Sequence, residues 1–296
     1  MPNNNNNMRA RTYTLDYHGA LDTVFGVRRH FVDAFQPLQT FNGIRENETA
    51  FVLKTNNTPV VLGKTYNKGA NVAFGTGTAN SSRFGERTEI IYENTEAKYT
   101  GELVIHEGLD ITTVNNDLDA AVLDRLYLQA EAQTRELNER HGAFLSAAAG
   151  NSETLDTYGA EDILALFNGV STYNTNQEIV VPVTSYVEPD LYNAIVDHPL
   201  VNSGKGSAVN IDKNGILEFK DFKIVKTPAR YFADGDVAYF VPNGVAIPFV
   251  GIQIARTIES ELFAGLALQA YAKTGEFVLD DNKPAITKVT KAAISG

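Results

Sequence analysis

The sequence predicts an α+β protein in which one long helix carries several β-rich segments. Residues 116–149 repeat apolar side chains at the spacing of a helix and contain no proline. Residues 48–112 are short β-branched runs around a glycine-rich middle, a pattern typical of strands and turns. Residues 151–251 alternate helical and strand-like patterns, which indicates a compact α/β lobe with its own core.

The first amphipathic stretch is residues 20–35, where apolar side chains surround the basic trio Arg28, Arg29 and His30. The pattern predicts one or two short helices, and Pro37 limits their end. Such a segment can pack on its own chain or on a neighbouring one. The sequence leaves both alternatives open.

The next section, residues 48–112, predicts a long hairpin. Its strand-like runs are Ala50–Leu53, Val60–Leu62, Thr88–Tyr92 and Tyr99–Ile105. Residues 63–85 between them are rich in glycine, asparagine and threonine. Because the outer part has little apolar content to bury, a hairpin of this kind is marginal in water alone. We expect it to lie on another surface, such as a second subunit.

The predicted long helix begins near Asn116, which can cap its first turn, and ends before Gly150. It spans roughly 50 Å, far more than the average helix of a globular protein. Its apolar stripe consists of Leu118, Val122, Leu126, Ala130, Leu137, Phe144, Leu145 and Ala148. We expect this stripe, Leu126 included, to be buried. On the solvated face, Glu131–Arg135 and Glu136–Arg140 are possible i,i+4 pairs.

Helical and strand patterns alternate after the long helix. Thr157–Tyr173 and Glu188–Asp197 are predicted helices. Strand-like runs occur at Ile179–Val183, Lys223–Val225, Val237–Val241 and Val245–Val250. At the end of the chain, Glu276–Asp280 and Ala285–Val289 resemble two strands joined by a turn at Asp280–Lys283.

The composition limits the class of protein. Of the 296 residues, 43% are hydrophobic and 21% are charged, which is typical of a folded chain. A net charge of −11 disfavours direct nucleic-acid binding, for which a basic surface is expected. The absence of cysteine excludes disulfides and thiolate metal sites. Because the N-terminus lacks the apolar core of a signal peptide, we expect synthesis in the cytoplasm.

No group of residues forms a recognisable catalytic motif. His106–Glu107 does not open a zinc-protease motif, because Asp110 stands where the second histidine is required. Gly75–Gly77 is not followed by a helical pattern or a P-loop lysine. Asp280–Asn282 could hold a hard cation, but an acidic turn between strands is the simpler interpretation. We therefore expect no enzymatic activity, no cofactor and no bound metal.

Several segments resemble the major capsid proteins of tailed bacteriophages. They are residues 84–89 (FGERTE), 106–108 (HEG), 113–121 (TVNNDLDAA), 189–198 (PDLYNAIVDH) and 255–261 (ARTIESE). The likeness extends over almost the whole chain. The chain resembles a siphophage capsid subunit with the Hong Kong 97 fold. These strings indicate ancestry and carry no chemistry of their own.

The resemblance implies a division of the chain. It comprises an N-terminal arm (1–47), an extended β-hairpin loop (48–112), a peripheral domain with a spine helix (113–150), an axial α/β domain (151–251) and return strands of the peripheral domain (252–296). Subunits of that family self-assemble as pentamers and hexamers into an icosahedral virion shell. The implied partners are further copies of the chain, a portal, a separate scaffold protein and enclosed double-stranded DNA bound without sequence specificity. No membrane partner is implied.

Charged residues at these elements are candidate inter-subunit contacts. They are Arg83, Glu86, Arg87, Arg28, Arg29, Glu259 and Glu261. Glu259 and Glu261 could also be a catalytic carboxylate pair or simply a solvated face. Some capsid proteins crosslink a hairpin lysine, here Lys64 or Lys68, although no crosslinking motif is matched. The alternatives to a phage shell are an encapsulin-like compartment that encloses cargo enzymes and a soluble enzyme.

Overall fold

The computed structural model describes residues 27–42, 49–63, 65–70, 72–73, 82–114, 117–202, 209–212 and 215–292. Two units of the chain are distinguished by their internal contacts: Asn47–Lys98, and the rest of the chain. The predicted cap Asn116, the crosslink candidate Lys64 and the start of the predicted amphipathic stretch, residues 20–26, lie outside the described residues.

The described part of the chain contains both helices and strands in mixed order. The helices are α1 (Leu118–Ala148), α2 (Ala160–Asn176), α3 (Pro189–Val196) and α4 (Pro199–Asn202). The strands are β1 (Gln39–Asn42), β2 (Thr49–Thr55), β3 (Glu93–Lys98), β4 (Gly101–Asp110), β5 (Asn151–Leu155), β6 (Val183–Val187), β7 (Val209–Asp212), β8 (Gly215–Phe219), β9 (Phe222–Lys226), β10 (Asp236–Pro242), β11 (Ile247–Glu259), β12 (Gly265–Phe277) and β13 (Thr287–Lys291). Ala229–Tyr231 and Asp280–Ala285 are 3₁₀ segments.

A four-stranded sheet has the order β1-β11-β12-β4. β11 and β12 form a long antiparallel hairpin, whereas β1 runs parallel to β11 at one edge of the sheet. The sequence predicts β11 only to Val250, because its second half is exposed and includes Arg256 and Thr257. β4, which the sequence groups with the hairpin of residues 48–112, pairs with β12 in this sheet.

A seven-stranded sheet has the order β5-β13-β10-β6-β9-β8-β7. Its central strands β6 and β10 are buried along their whole length. The predicted strands at Lys223–Val225 and Val237–Val241 are confirmed as β9 and β10. The prediction at Ile179–Val183 is wrong, because only Val183 belongs to β6 and Val180 is exposed.

Alternate side chains of β6 and β10 supply two separate cores on opposite faces of this sheet. On one face, Phe167 of α2 packs edge-on against Phe219, Phe222 and Phe240. On the other face, the second core contains Phe31, Phe35, Leu145, Ala148, Tyr186 and Tyr239. The predicted helices at residues 157–173 and 188–197 are confirmed as α2 and α3, which lie with the first core.

Only the second half of α1 is buried as the sequence predicts. Its buried residues are Asn138, Gly142, Leu145 and Ala148. Leu126 is 45% exposed, so the prediction that the whole apolar stripe is buried is wrong. The predicted pair of Glu131 and Arg135 is confirmed, with 3.7 Å between the charged atoms.

Two further strand predictions differ from the structure. In the unit Asn47–Lys98, β2 pairs with β3, and this pairing ends at Thr55 and Glu93, so residues 88–92 form no strand. At the end of the chain, β12 and β13 are not a hairpin. The Asp280–Ala285 segment between them separates strands that belong to two different sheets, because β13 pairs with β10 and β5.

The uneven burial of α1 predicts unequal effects of truncating two of its leucines. Leu145→Ala should destabilise the subunit by about 2–5 kcal/mol, because Leu145 is fully buried. Leu126→Ala should cost less than about 1 kcal/mol, because Leu126 is already half exposed. Urea unfolding of unassembled protein measures both, and equal losses would contradict the burial pattern.

Two helical glycines form a second matched pair. A Cβ on Gly142 would lie 1.7 Å from the carbonyl oxygen of Tyr231. A Cβ on Gly169 would meet no described atom within 4 Å outside its own stretch of helix. Gly142→Ala should therefore destabilise the subunit by about 1–3 kcal/mol, since backbone must move. Gly169→Ala in α2 should stabilise it by about 0.5–1 kcal/mol. A higher unfolding temperature for Gly142→Ala would contradict this close approach.

Candidate assembly surfaces

The unit Asn47–Lys98 has almost no interior. Among its described residues only Ala97 is buried. Large apolar side chains are instead exposed in two runs, Val60–Leu62 and Ile90–Tyr92, each more than half accessible. Exposed apolar side chains grouped in this way mark surfaces that other molecules cover.

A cluster of aromatic and charged residues lies in the same unit. We name it the Phe84 cluster, and it consists of Tyr66, Lys68, Arg83, Phe84, Glu86 and Arg87. Phe84 is 83% exposed, and its ring meets that of Tyr66 edge-on at 5.2 Å between centroids. The backbone N–H of Asn67 donates to the carbonyl of Arg83 at 3.0 Å, and the Arg83 Nε donates to the carbonyl of Val72. Of the predicted contacts, Arg83 directly precedes Phe84 in the chain, and Glu86 and Arg87 follow it closely.

The two predicted acidic contacts lie at the turn between β11 and β12. Glu259 ends β11, Glu261 follows in the turn, and both side chains are exposed. Leu262 beside them is 94% exposed. Two exposed carboxylates and an exposed leucine follow one another closely at this turn, an arrangement that offers a contact surface.

Residues 27–38 pack on their own chain. Phe31 and Phe35 are buried in the second core, and the backbone N–H of Ala34 donates to the Tyr186 hydroxyl at 2.9 Å. The Asn138 side chain of α1 donates to the carbonyl of Arg28 at 2.7 Å. This part of the segment therefore packs on its own chain, which is one of the two alternatives left open by the sequence. The side chains of Arg28 and Arg29 remain exposed.

A buried ion pair joins α1 to β12. The Arg140 guanidinium lies 3.1 Å from the Glu276 carboxylate and donates to the Thr100 hydroxyl at 2.9 Å. Glu276 is almost completely buried, so loss of either partner would leave an uncompensated charge. A Cβ at Gly101 would overlap the guanidinium, so any other residue there would require the end of the Arg140 side chain to shift. The sequence placed Arg140 on the solvated face as a possible partner of Glu136, whereas the structure pairs it with the buried Glu276.

His141 lies next to that ion pair. Its ring stacks on Phe35 at 4.0 Å between centroids, and its Nε2 is 3.9 Å from a Glu276 oxygen already engaged by Arg140. Burial, together with the smaller effect of the positive charges of Arg140 and Arg29, lowers the pKa of His141 from 6.5 to about 4. His141 is therefore neutral in the folded subunit near pH 7.

A second ion pair fixes the first half of α1 to the four-stranded sheet. Arg125 donates to both carboxylate oxygens of Glu107, at 2.6 and 2.5 Å, and Gln129 donates to the same carboxylate. The hydrogen bond from Arg125 lowers the pKa of Glu107. The i,i+4 spacing of Arg125 and Gln129 was the available sequence signal, because it places both side chains on one side of a helix.

A cavity of about 420 Å³ separates α1 from the same sheet. Leu103 and Ile105 of β4, Ala130 and Leu137 of α1, and Phe249 of β11 contribute apolar walls. Among the described residues, no group of histidine, aspartate and glutamate is arranged to hold a metal ion. In the same part of the chain, none of the helices has the length and apolarity needed to span a bilayer.

Comparisons with known proteins identify the fold. No protein-family model matches the sequence, and no curated protein matches it. The structure is similar to a chain of the capsid of cyanophage P-SCSP1u, with a TM-score of 0.66 at 12% identity over 95% of this chain and 93% of that chain. It is also similar to the mature capsid of bacteriophage PhiM1, with a TM-score of 0.66 at 9% identity over 96% and 93%. For the SrpI encapsulin from Synechococcus elongatus the TM-score is 0.50 at 12% identity over 92% of each chain.

These likenesses extend over nearly the full length of both chains. The chain therefore has the fold of tailed-phage capsid subunits, and the expectation of a Hong Kong 97-like fold is confirmed. At such low identity, the likeness establishes the fold and leaves the function to be argued from the surfaces described above.

The buried histidine predicts a specific loss of stability in acid. Because the folded state lowers the pKa of His141 from 6.5 to about 4, the unfolded chain binds a proton first as the pH falls. The stability that neutral His141 contributes is complete above pH 6.5 and falls by about 3 kcal/mol as the pH approaches 4. His141→Gln should lose correspondingly less between pH 7 and pH 4.5. Urea unfolding at both values measures this, and equal acid losses in the two proteins would contradict it.

Proposed function

We propose that this chain is the major capsid subunit of a tailed phage. Copies of it self-assemble as pentamers and hexamers into an icosahedral shell that encloses double-stranded DNA. The observation that carries the proposal is the unit Asn47–Lys98, in which Ala97 alone among the described residues is buried. A unit of this kind gains stability by lying on another copy, and the fold shared with phage capsids provides the arrangement in which it would do so.

The structural elements receive roles under this proposal. Residues 1–47 are the N-terminal arm, and the unit around β2 and β3 is the extended hairpin loop. α1 is the spine helix of the peripheral domain, together with the β11–β12 hairpin and β4. The seven-stranded sheet with α2 and α3 is the axial domain. Because β13 belongs to this sheet, we assign β13 to the axial domain as well, although the division implied by the sequence ends that domain at residue 251.

The proposal also defines the partners and the location. The principal partner is the chain itself, and a portal and a separate scaffold protein take part in assembly in the host cytoplasm. The enclosed DNA is held without sequence-specific contacts, in keeping with a net charge of −11. The mature location is the virion. The subunit needs no cofactor and performs no catalysis in this role.

Purified protein tests the proposal directly. Expressed with its scaffold protein, the chain should elute from a sizing column as particles of megadalton mass and form closed shells in negative-stain images. A discrete small oligomer with enzymatic turnover would overturn the shell function.

An encapsulin-like compartment is the second candidate, favoured by the likeness to the SrpI encapsulin at a TM-score of 0.50. The phage shell is preferred because the TM-score to the two phage capsids is 0.66. Particles isolated from the native source discriminate the two, since a shell protects DNA from nuclease and a compartment retains a cargo enzyme.

The hairpin loop should be needed for assembly but not for folding. Ile91→Asp places a charge on an exposed run, so the free energy of unfolding of the subunit should change by less than about 0.5 kcal/mol. Particle formation should fail, because a desolvated charge at a contact costs several kcal/mol. Ala97→Asp is the control, since it buries the charge within the unit and should expose residues 47–98 to limited proteolysis. Normal particles from Ile91→Asp would show that this run stays in solvent.

A further inference from the structure

The cavity between α1 and the four-stranded sheet has the size of a ligand site. Its volume of about 420 Å³ lies within the range of roughly 300–1,000 Å³ that is typical of small-molecule pockets. Protein interiors usually contain few voids larger than a water molecule. All of the lining residues belong to the larger unit of one chain, so the site is complete within a single subunit.

Small side chains on both walls create the space. β12 is a central strand of the sheet, and its Ala270 and Ala272 line the cavity. Ala130 and Thr134, one helical turn apart on α1, line the opposite wall. Longer side chains at these four positions would fill the gap between the helix and the sheet.

Two ion pairs hold the helix at a fixed distance above the alanines. Arg125 binds Glu107 of β4, and Arg140 binds Glu276 of β12. These attachments lie before and after residues 130–137, the stretch of α1 that lines most of the helical wall. Because α1 cannot move onto the sheet without disturbing both pairs, the cavity follows from the way in which the helix is attached.

The cavity has an exposed end and a buried end. Ile252 is 38% exposed and Ile254 is 43% exposed, whereas Thr274 is only 1% exposed. Ile254 is paired with Tyr271, three residues before Thr274 along β12, so the two ends are about 10 Å apart. An occupant therefore enters beside the isoleucines and reaches the threonine with its far end.

Two polar atoms at the buried end lack hydrogen-bond partners. They are the Thr274 Oγ1 and the His141 Nε2, and neither has a partner within the part of the chain that the structure describes. The 3.9 Å between the His141 Nε2 and the Glu276 carboxylate is too long for a hydrogen bond. Buried polar atoms are nearly always paired, so these two atoms indicate an occupant with a polar group at its inner end.

The charges around the buried end favour a neutral polar group. Arg140 and Glu276 already compensate each other, so an ionised group on the occupant would be a buried charge without a partner. His141 is neutral near pH 7, as its lowered pKa requires. A hydroxyl both donates and accepts, and it can therefore pair with a neutral imidazole in either tautomer and with the Thr274 hydroxyl.

We propose that this cavity binds one molecule of a neutral amphiphile, an alcohol with a medium-length alkyl chain. The chain lies against Leu103, Ile105 and Leu137, and the hydroxyl pairs with the Thr274 Oγ1 and the His141 Nε2. This site goes beyond the proposed shell function and does not depend on it, because one subunit supplies every contact.

1-Octanol is the probe for this site. Isothermal titration of the unassembled subunit should show saturable binding of one molecule per chain. Thr274→Val should weaken this binding about two- to tenfold, because it removes one hydrogen bond and keeps the shape of the side chain. The matched control is Thr257→Val on β11, which changes an exposed threonine outside the cavity and should leave the affinity unchanged.

A second pair of variants tests the location without altering the buried end. Ala130 and Ala132 are both exposed on α1, but only Ala130 lines the cavity. Ala130→Phe should reduce the affinity for 1-octanol about tenfold or more, because the ring occupies the space of the alkyl chain. Ala132→Phe should leave the affinity unchanged. Since both positions are exposed, both variants should fold.

The charge of the head group is tested with octanoate, which has the same chain length. It should bind about tenfold or more weakly than 1-octanol, since its carboxylate would be buried beside Glu276. Equal affinity for the two probes would overturn the assignment of a neutral head group. Titration without saturable heat would show that water alone fills the cavity and would overturn the site. Binding that neither Thr274→Val nor Ala130→Phe weakens would place the alcohol elsewhere and would also overturn it. Because the unassembled subunit is titrated, each of these outcomes leaves the shell function standing.

Discussion

The seven-stranded sheet requires cover on both faces, and the arrangement of the larger unit follows from this requirement. β6 and β10 are buried along their whole length, so apolar side chains project from both sides of the sheet. α2 and α3 cover one face. The other face is covered by the end of α1 together with Phe31 and Phe35. Burial of this kind contributes roughly 25 cal/mol per Å² of apolar surface, which makes it the largest stabilising term.

That requirement leaves other surfaces of the chain open. The helix α1 extends beyond the sheet that buries its end, and Arg125 attaches its first half to Glu107 of β4. The unit Asn47–Lys98 contributes strands but almost no interior. A monomer that exposes this much apolar surface would tend to aggregate in water. Ordered assembly removes the same surface from water in a defined geometry.

The sequence predicted the types of elements better than their surroundings. α1, α2, α3, β9 and β10 were recognised because each has strong local periodicity or a continuous apolar run. Leu126 was predicted to be buried because periodicity identifies the apolar side of a helix. Periodicity does not show how far along the helix other residues cover that side. The second half of β11 was missed because its side chains face solvent. β13 was assigned a hairpin with β12 because sequence proximity suggests pairing, whereas its partners β10 and β5 are distant in the chain.

The candidate contact residues show the same limit. Arg83, Glu86 and Arg87 were singled out by alternating charge next to an aromatic residue, and the structure adds the Tyr66 ring and the hydrogen bonds that order the cluster. The pairing of Arg140 with Glu276 carried no recognisable signal, because 136 residues separate them and the i,i+4 spacing suggested Glu136 as the partner of Arg140. A glycine inside a helix ordinarily weakens it, yet the missing side chain of Gly142 is what permits contact with the Tyr231 carbonyl.

The division of labour between apolar and charged contacts follows from their magnitudes. At physiological ionic strength, charges on different subunits are screened beyond about 8 Å, so a net charge of −11 opposes assembly only at short range. An exposed ion pair contributes less than about 1 kcal/mol, too little to hold subunits together. The exposed apolar side chains of the unit Asn47–Lys98 could supply more, since each buried side chain of that size contributes roughly 1.5–3 kcal/mol. Apolar surface has no preferred partner, however, whereas charges beside it favour oppositely charged surfaces and repel like-charged ones. Under the proposed shell function, affinity would therefore come from apolar side chains and the choice of partner surface from charged ones.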